Sequence, residues 1–151
     1  MVISLTIDDP VETVKTILST YWDSSNTNSL TPNFDEMREF VVKGDVKYQI
    51  LIYRRPRTLT EIGRGTHFDL DDLVTVELRV WAIQGNAASA ETRFKQMLTE
   101  VYRVIGSRRT SPGNNYDYIA WVSDNDQSYR GNNFFRILID YELRRYGASK
   151  T

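Results

Sequence analysis

The only histidine of this 151-residue chain, His67, stands beside its densest run of carboxylates: Asp69, Asp71 and Asp72, with Glu77 shortly after. Hard divalent cations take several oxygen ligands, so a metal site would be built from these acids. A metal-dependent nuclease would further want a Glu-x-Lys on a strand. The strand here reads Glu77-Leu78-Arg79, and arginine stays protonated, so it cannot replace a lysine base. An acidic loop ahead of a strand accounts for the same residues, with Glu77 and Arg79 on a solvated or interface face. No Ser/Asp order near His67 resembles a catalytic triad. Asp124-Asn125-Asp126 lacks the Gly-x5-Glu sequel of a calcium loop, and Gly63-Arg64-Gly65 lacks phosphate-loop spacing. Without cysteine, thiol catalysis, disulfides and metal–thiolate sites are excluded. The reading expects no catalytic residue, no metal and no cofactor.

Basic residues gather at Arg54, Arg55, Arg57 and Arg64, and again at Arg108-Arg109 and Arg144-Arg145. A nucleic-acid footprint needs such groups on one face. Most fall at element ends, where solvated charges and helix-dipole partners are expected. Tyr48, Tyr53, Trp81 and Trp121 have the chemistry of stacking platforms, yet sheet packing explains most of them. The net charge of −1 demands no polyanionic partner, so no specific nucleic acid is expected.

The elements that position these residues follow from periodicity. The length predicts one domain over residues 1–151. Its apolar and charged fractions, 40% and 26%, are those of an ordinary globular chain. No window approaches the roughly 20 apolar residues of a membrane span. Met1–Ile7 has no basic start and runs into Asp8-Asp9, so no signal peptide is expected. Asp9, Pro10 and Glu12 mark a helix start, and Val11, Val14, Ile17, Leu18, Tyr21 and Trp22 give it one apolar face. A strand follows from Val46 to about Arg55, apolar or aromatic on both faces, as if covered on both sides. A short strand is expected before it, within Met37–Lys43. Residues 55–71 read as a long loop or a hairpin arm. Leu73–Ile83 alternates: Val74, Val76, Leu78, Val80 and Ala82 share one face, and Thr75, Glu77, Arg79 and Trp81 the other. A second helix, Ala87–Ile105, is capped by Asn86. It turns Ala87, Ala90, Phe94, Met97, Leu98, Val101, Val104 and Ile105 inward, with Gly106 as its C′ residue. Strands Tyr116–Val122 and Phe134–Arg145 flank a polar loop at 124–133. The sum is an α+β fold: a mostly antiparallel or mixed sheet of about four to six strands packed by two helices.

This order of elements resembles the tail-terminator and tail-completion (neck) proteins of tailed viruses. The segments closest in style are Val74-Thr-Val-Glu-Leu-Arg-Val80, Ala90-Glu-Thr-Arg-Phe-Lys-Gln-Met-Leu98 and Ile137-Leu-Ile-Asp-Tyr-Glu-Leu143, within a match of element order over roughly residues 9–145. The resemblance implies a structural protein of the virion, assembled in the host cytoplasm. It implies a homo-oligomeric ring, often a hexamer, that caps the tail tube and joins it to the head connector. The tube and connector proteins would be its partners, with no enzymatic activity and no membrane. The candidate interface residues are Arg54, Arg55, Arg57, Arg64, Glu77, Arg79 and Trp81, because aromatic and arginine side chains anchor protein interfaces. The alternative is a nucleic-acid-associated or metal-dependent hydrolytic domain using the arginine clusters and the Asp69–Glu77 carboxylates.

Overall fold

The computed structural model describes residues 9–55, 58–62, 67–83 and 87–149. Helix α1 spans Pro10–Tyr21 and starts as its capping residues dictate. The Asp9 carboxylate accepts from the backbone N–H groups of Val11 and Glu12 at 3.0 and 3.2 Å, satisfying donors that a helix start leaves unpaired. Helix α2 spans Ala87–Ser107. Its expected cap, Asn86, lies outside the described residues. Gly106 does not stop it: the helix runs one residue further, and Gly106 has no positive φ.

Among the described residues six strands form one antiparallel sheet: β1 (Val41–Lys43), β2 (Val46–Arg54), β3 (Thr58–Ile62), β4 (His67–Ala82), β5 (Tyr118–Asp126) and β6 (Phe134–Ser149). The order across the sheet is β1-β2-β4-β6-β5. β3 pairs with β4 on the side that β2 occupies further along, Thr58 opposite Asp71 and Ile62 opposite His67. The fold is therefore α+β, as the alternation predicts.

Both helices pack on the same face. α1 lies on β2 and β4, while α2 lies on β4, β5 and β6 and touches α1. Val14, Ile17 and Leu18 of α1 and Ala90, Phe94, Met97, Val101, Val104 and Ile105 of α2 meet the inward residues of the strands. Those are Tyr48, Ile50 and Ile52; Val74, Val76, Leu78 and Val80; and Phe135, Ile137, Ile139, Tyr141 and Leu143. Ala82, expected in this row, is only partly buried at the strand end. A buried carboxylate joins the helices to their connection. Glu100 accepts from the Asp23 N–H at 3.1 Å and from the Asn26 amide. Its partner Arg103 donates to the carbonyl of Tyr21 at 3.0 Å, a cation at the negative end of α1.

Three expectations shift. β2 is interior to the sheet but covered by helices on one face only, so Tyr53 is 39% exposed. Much of 55–71 is strand, the hairpin alternative, since β3 and the start of β4 pair there. β5 runs on to Asp126 and shortens the 124–133 loop. Residues 123–126 pair with Asp140–Ile137 through backbone groups, which are indifferent to polar side chains at a sheet edge. No helix among the described residues is long and apolar enough to cross a membrane.

Candidate interface on the helix-free face of the sheet

Among the described residues no helix lies on the second face of the sheet, yet its centre is closed. Thr75 and Glu77 on β4 are 0% and 2% exposed. Long side chains from the neighbouring strands fold over them. The Glu77 carboxylate accepts from Arg136 Nη2 at 3.0 Å, from the Tyr53 hydroxyl at 3.1 Å and from Arg79 Nε. Burial alone would raise the Glu77 pKa, but hydrogen bonds from Arg136 and Arg79 outweigh it and hold the carboxyl below its ordinary value. Next along β4, Thr75 donates to Asp140 at 2.6 Å, and Arg55 Nε donates to Thr75 Oγ1 at 3.2 Å. Further on, Arg144 bridges Asp71 at 3.0 Å and Glu142 at 2.6 Å. Burial, then the hydrogen bond with Asp71, raises the Glu142 pKa despite Arg144.

An aromatic run lies at the opposite end of this face. Phe40 packs edge-on against Trp81 at 4.7 Å between centroids, Trp81 stacks on Phe134 at 4.9 Å, and Phe134 faces Tyr129 at 6.5 Å. The Lys47 ammonium sits 5.1 and 5.3 Å from the rings of Phe40 and Trp81, within cation–π range. Phe40 and Tyr129 remain 45% and 65% exposed. Gln49 Oε1, Asp71 Oδ1, Arg136 Nε and Arg144 Nε, on the same face, are buried without a hydrogen-bond partner. Each unsatisfied group of this kind costs about 1–3 kcal/mol.

The residues singled out from sequence therefore separate. Arg55, Glu77, Arg79 and Trp81 share the helix-free face, but Glu77 is a buried strut rather than a contact. Arg54 pairs in register with Val74 on the opposite side and is exposed. Arg57 and Arg64 lie outside the described residues. The carboxylates diverge: Asp71 meets Arg144, whereas Asp72, buried on the helix side, accepts from the Tyr116 hydroxyl at 2.5 Å. Among the described residues no group of three or more His, Asp or Glu is placed to hold a metal ion. His67 opens β4 opposite Ile62. Among the described residues the arginines do not form one stripe. Arg108 lies over the Tyr21 ring at 4.9 Å, Arg109 is exposed beyond α2, and Arg144 is bound to Asp71 and Glu142.

Sequence reasoning missed Arg136, Asp140 and Phe40, which complete the face. The outward positions of β6 are visible as an alternating, mostly charged set, Arg136, Asp140, Glu142 and Arg144 around Leu138. Only the register of β6 on β4, with Glu77 opposite Leu138, says which acid each cation meets. The geometry defines an α+β fold with a one-sided helical layer and a self-covering second face. The chain matches no known family and no curated protein.

Proposed function

We propose that this chain is a structural subunit of a tailed-virus particle, of the tail-terminator or neck type. Identical copies would form a ring that caps the tail tube and joins it to the head connector. The carrying observation is the length of β4 and β6, sixteen residues each. At roughly 3.3 Å per residue such a strand is about 50 Å long, while the 21 residues of α2 span about 30 Å. The pairing of β2 with β4 stops at Val74, and that of β5 with β6 stops at Arg144. His67–Asp71, β3 and Arg144–Ser149 thus form a three-stranded arm past the helix-covered core. Catalysis needs no such overrun. An assembly subunit uses one to reach a neighbour, where a sheet extension adds contact area that the core cannot. The exposed aromatics on the helix-free face, Phe40 and Tyr129, support the same reading, since a partner surface would cover them.

The ring is geometric machinery: one surface matches the last ring of the tube, and the other does not propagate it. The experiment shortens the arm, joining Arg55 to Asp72 through a short Gly-containing turn. The variant should keep its cooperative unfolding and lose tube-protein binding in light-scattering chromatography. Full binding without the arm, or a wild-type chain that neither self-associates nor binds tube protein, overturns the proposal.

A further inference from the structure

The end of α2 and strand β5 enclose a cleft of about 380 Å³, lined by Tyr102, Ile105, Arg109, Ile119, Trp121 and Tyr141. That size suits a small molecule. The Ile119 N–H donates to the Arg109 carbonyl at 2.9 Å, which ties the segment after α2 to β5. Asp124 fixes two aromatic walls by their polar edges. Trp121 Nε1 donates to Oδ1 at 2.7 Å, and the Tyr102 hydroxyl donates to Oδ2. Burial, then the hydrogen bond to Asp124, pushes the Tyr102 pKa up, so its hydroxyl stays a donor. Tyr141, 3% exposed, stands in the wall with a buried hydroxyl that has no hydrogen-bond partner.

The site is left with opposite charges that do not meet. Asp124 is exposed and is held by neutral donors; among the described residues no lysine or arginine pairs with it. Arg109 is exposed, lines the cleft and makes no ion pair among the described residues. No described lysine or arginine lies over the ring of Tyr102, Trp121 or Tyr141. The faces of such rings attract cations. A hydrogen bond donated to a carboxylate polarises the donor ring and strengthens that attraction. A methylated ammonium suits ring faces best, because its charge needs no hydrogen-bond acceptor. A ligand with a cation alone would meet Arg109 as a like charge, and one with an anion alone would meet Asp124.

We infer that the cleft binds a small zwitterion, its methylated ammonium against Tyr102 and Trp121 beside Asp124 and its anionic group on Arg109. The site lies within one subunit and needs no second copy. Its ligand could be a free solute or a lipid headgroup, since both present the same ammonium and phosphate chemistry.

The test follows the Trp121 indole N–H and the neighbouring amides of the full chain in NMR titrations with phosphocholine, choline and inorganic phosphate. Phosphocholine should shift them saturably, with an affinity about threefold above that of choline, the worth of an exposed ion pair. Inorganic phosphate should leave the indole unmoved. Arg109→Gln should bring phosphocholine down to the level of choline, and Asp124→Asn should weaken both by about threefold. Both positions are exposed, so the spectra should otherwise keep their wild-type dispersion. If Asp124→Asn fails to fold, Arg109→Gln still decides, since its backbone keeps the bond to Ile119. The absence of a saturable shift, an equal shift by inorganic phosphate, or equal binding of choline and phosphocholine to wild type each overturns the inference. Pelleting with phosphatidylcholine vesicles would support the site as one for a headgroup, and binding of phosphocholine without pelleting would support it as one for a solute.

Discussion

The two faces of β4 are made by alternate residues of one strand and buried by opposite means. On the helix side, Val74, Val76, Leu78 and Val80 are fully buried under α1 and α2. On the other side, Thr75 and Glu77 are equally hidden, beneath the side chains of Arg55, Tyr53, Arg79 and Arg136 rather than a described helix. The first face derives its stability from apolar area and close packing. The second buries a carboxylate, which is tolerable only because three donors satisfy it. A residue can thus be core by exposure and polar by chemistry, and the face that looks open is already closed at its centre.

The largest test of this contrast is Leu78→Ala. A fully buried leucine between two layers should cost about 2–5 kcal/mol, read as a lower urea midpoint with little change in slope. Glu77→Gln should cost less, about 1–3 kcal/mol, by leaving Arg79 and Arg136 without their shared anion. Both arginines are partly solvated, with side chains 29% and 28% exposed, which limits the loss. Replacing the whole set, Glu77→Leu with Arg79→Met and Arg136→Met, should recover part of it, because no uncompensated charge remains. If the triple replacement is worse than the single one, the network contributes more than mutual charge satisfaction.

The pH dependence of stability divides the same face in two. Glu77 has a depressed folded pKa, so its contribution is full above the ordinary carboxylate value, about 4.3. It is lost as pH falls through the folded value. Glu142 has a raised folded pKa. Its contribution is full below the ordinary value and is lost as pH rises through the folded one. Urea midpoints between about pH 3 and 7 should therefore show a shallower acid loss in Glu77→Gln. Glu142→Gln should lessen the decline on the rising side. The same sign in both variants would refute the assignment. The smallest effect belongs to Arg54→Ala, an exposed side chain at the end of β2 on the helix side, at within about 0.5 kcal/mol.

Much of the fold is legible locally. Asp9-Pro10 marks the start of α1 because capping needs only neighbouring residues. The inward rows of β4 and β6 are read from a period of two, which belongs to the backbone. Glu100 was not legible, since an acid within a helical pattern reads as solvent-facing until Asp23 and Asn26 are brought to it. Local pattern does not decide between loop and hairpin for the arm, because Thr58–Ile62 shows its partner only once it pairs with β4. The candidate interface was half legible: Glu77, Arg79 and Trp81 share a face by alternation, but Arg136, Asp140 and Phe40 join them from distant segments.

The sequence by itself determined which residues alternate, where α1 begins and that thiol chemistry is absent, all consequences of local period and composition. Tertiary structure alone decided that both helices take the same side of the sheet. It also decided that Glu77 is a buried strut. Those outcomes depend on strand order and register, which are fixed by pairings far apart in the chain, and no local pattern encodes which distant charge will arrive.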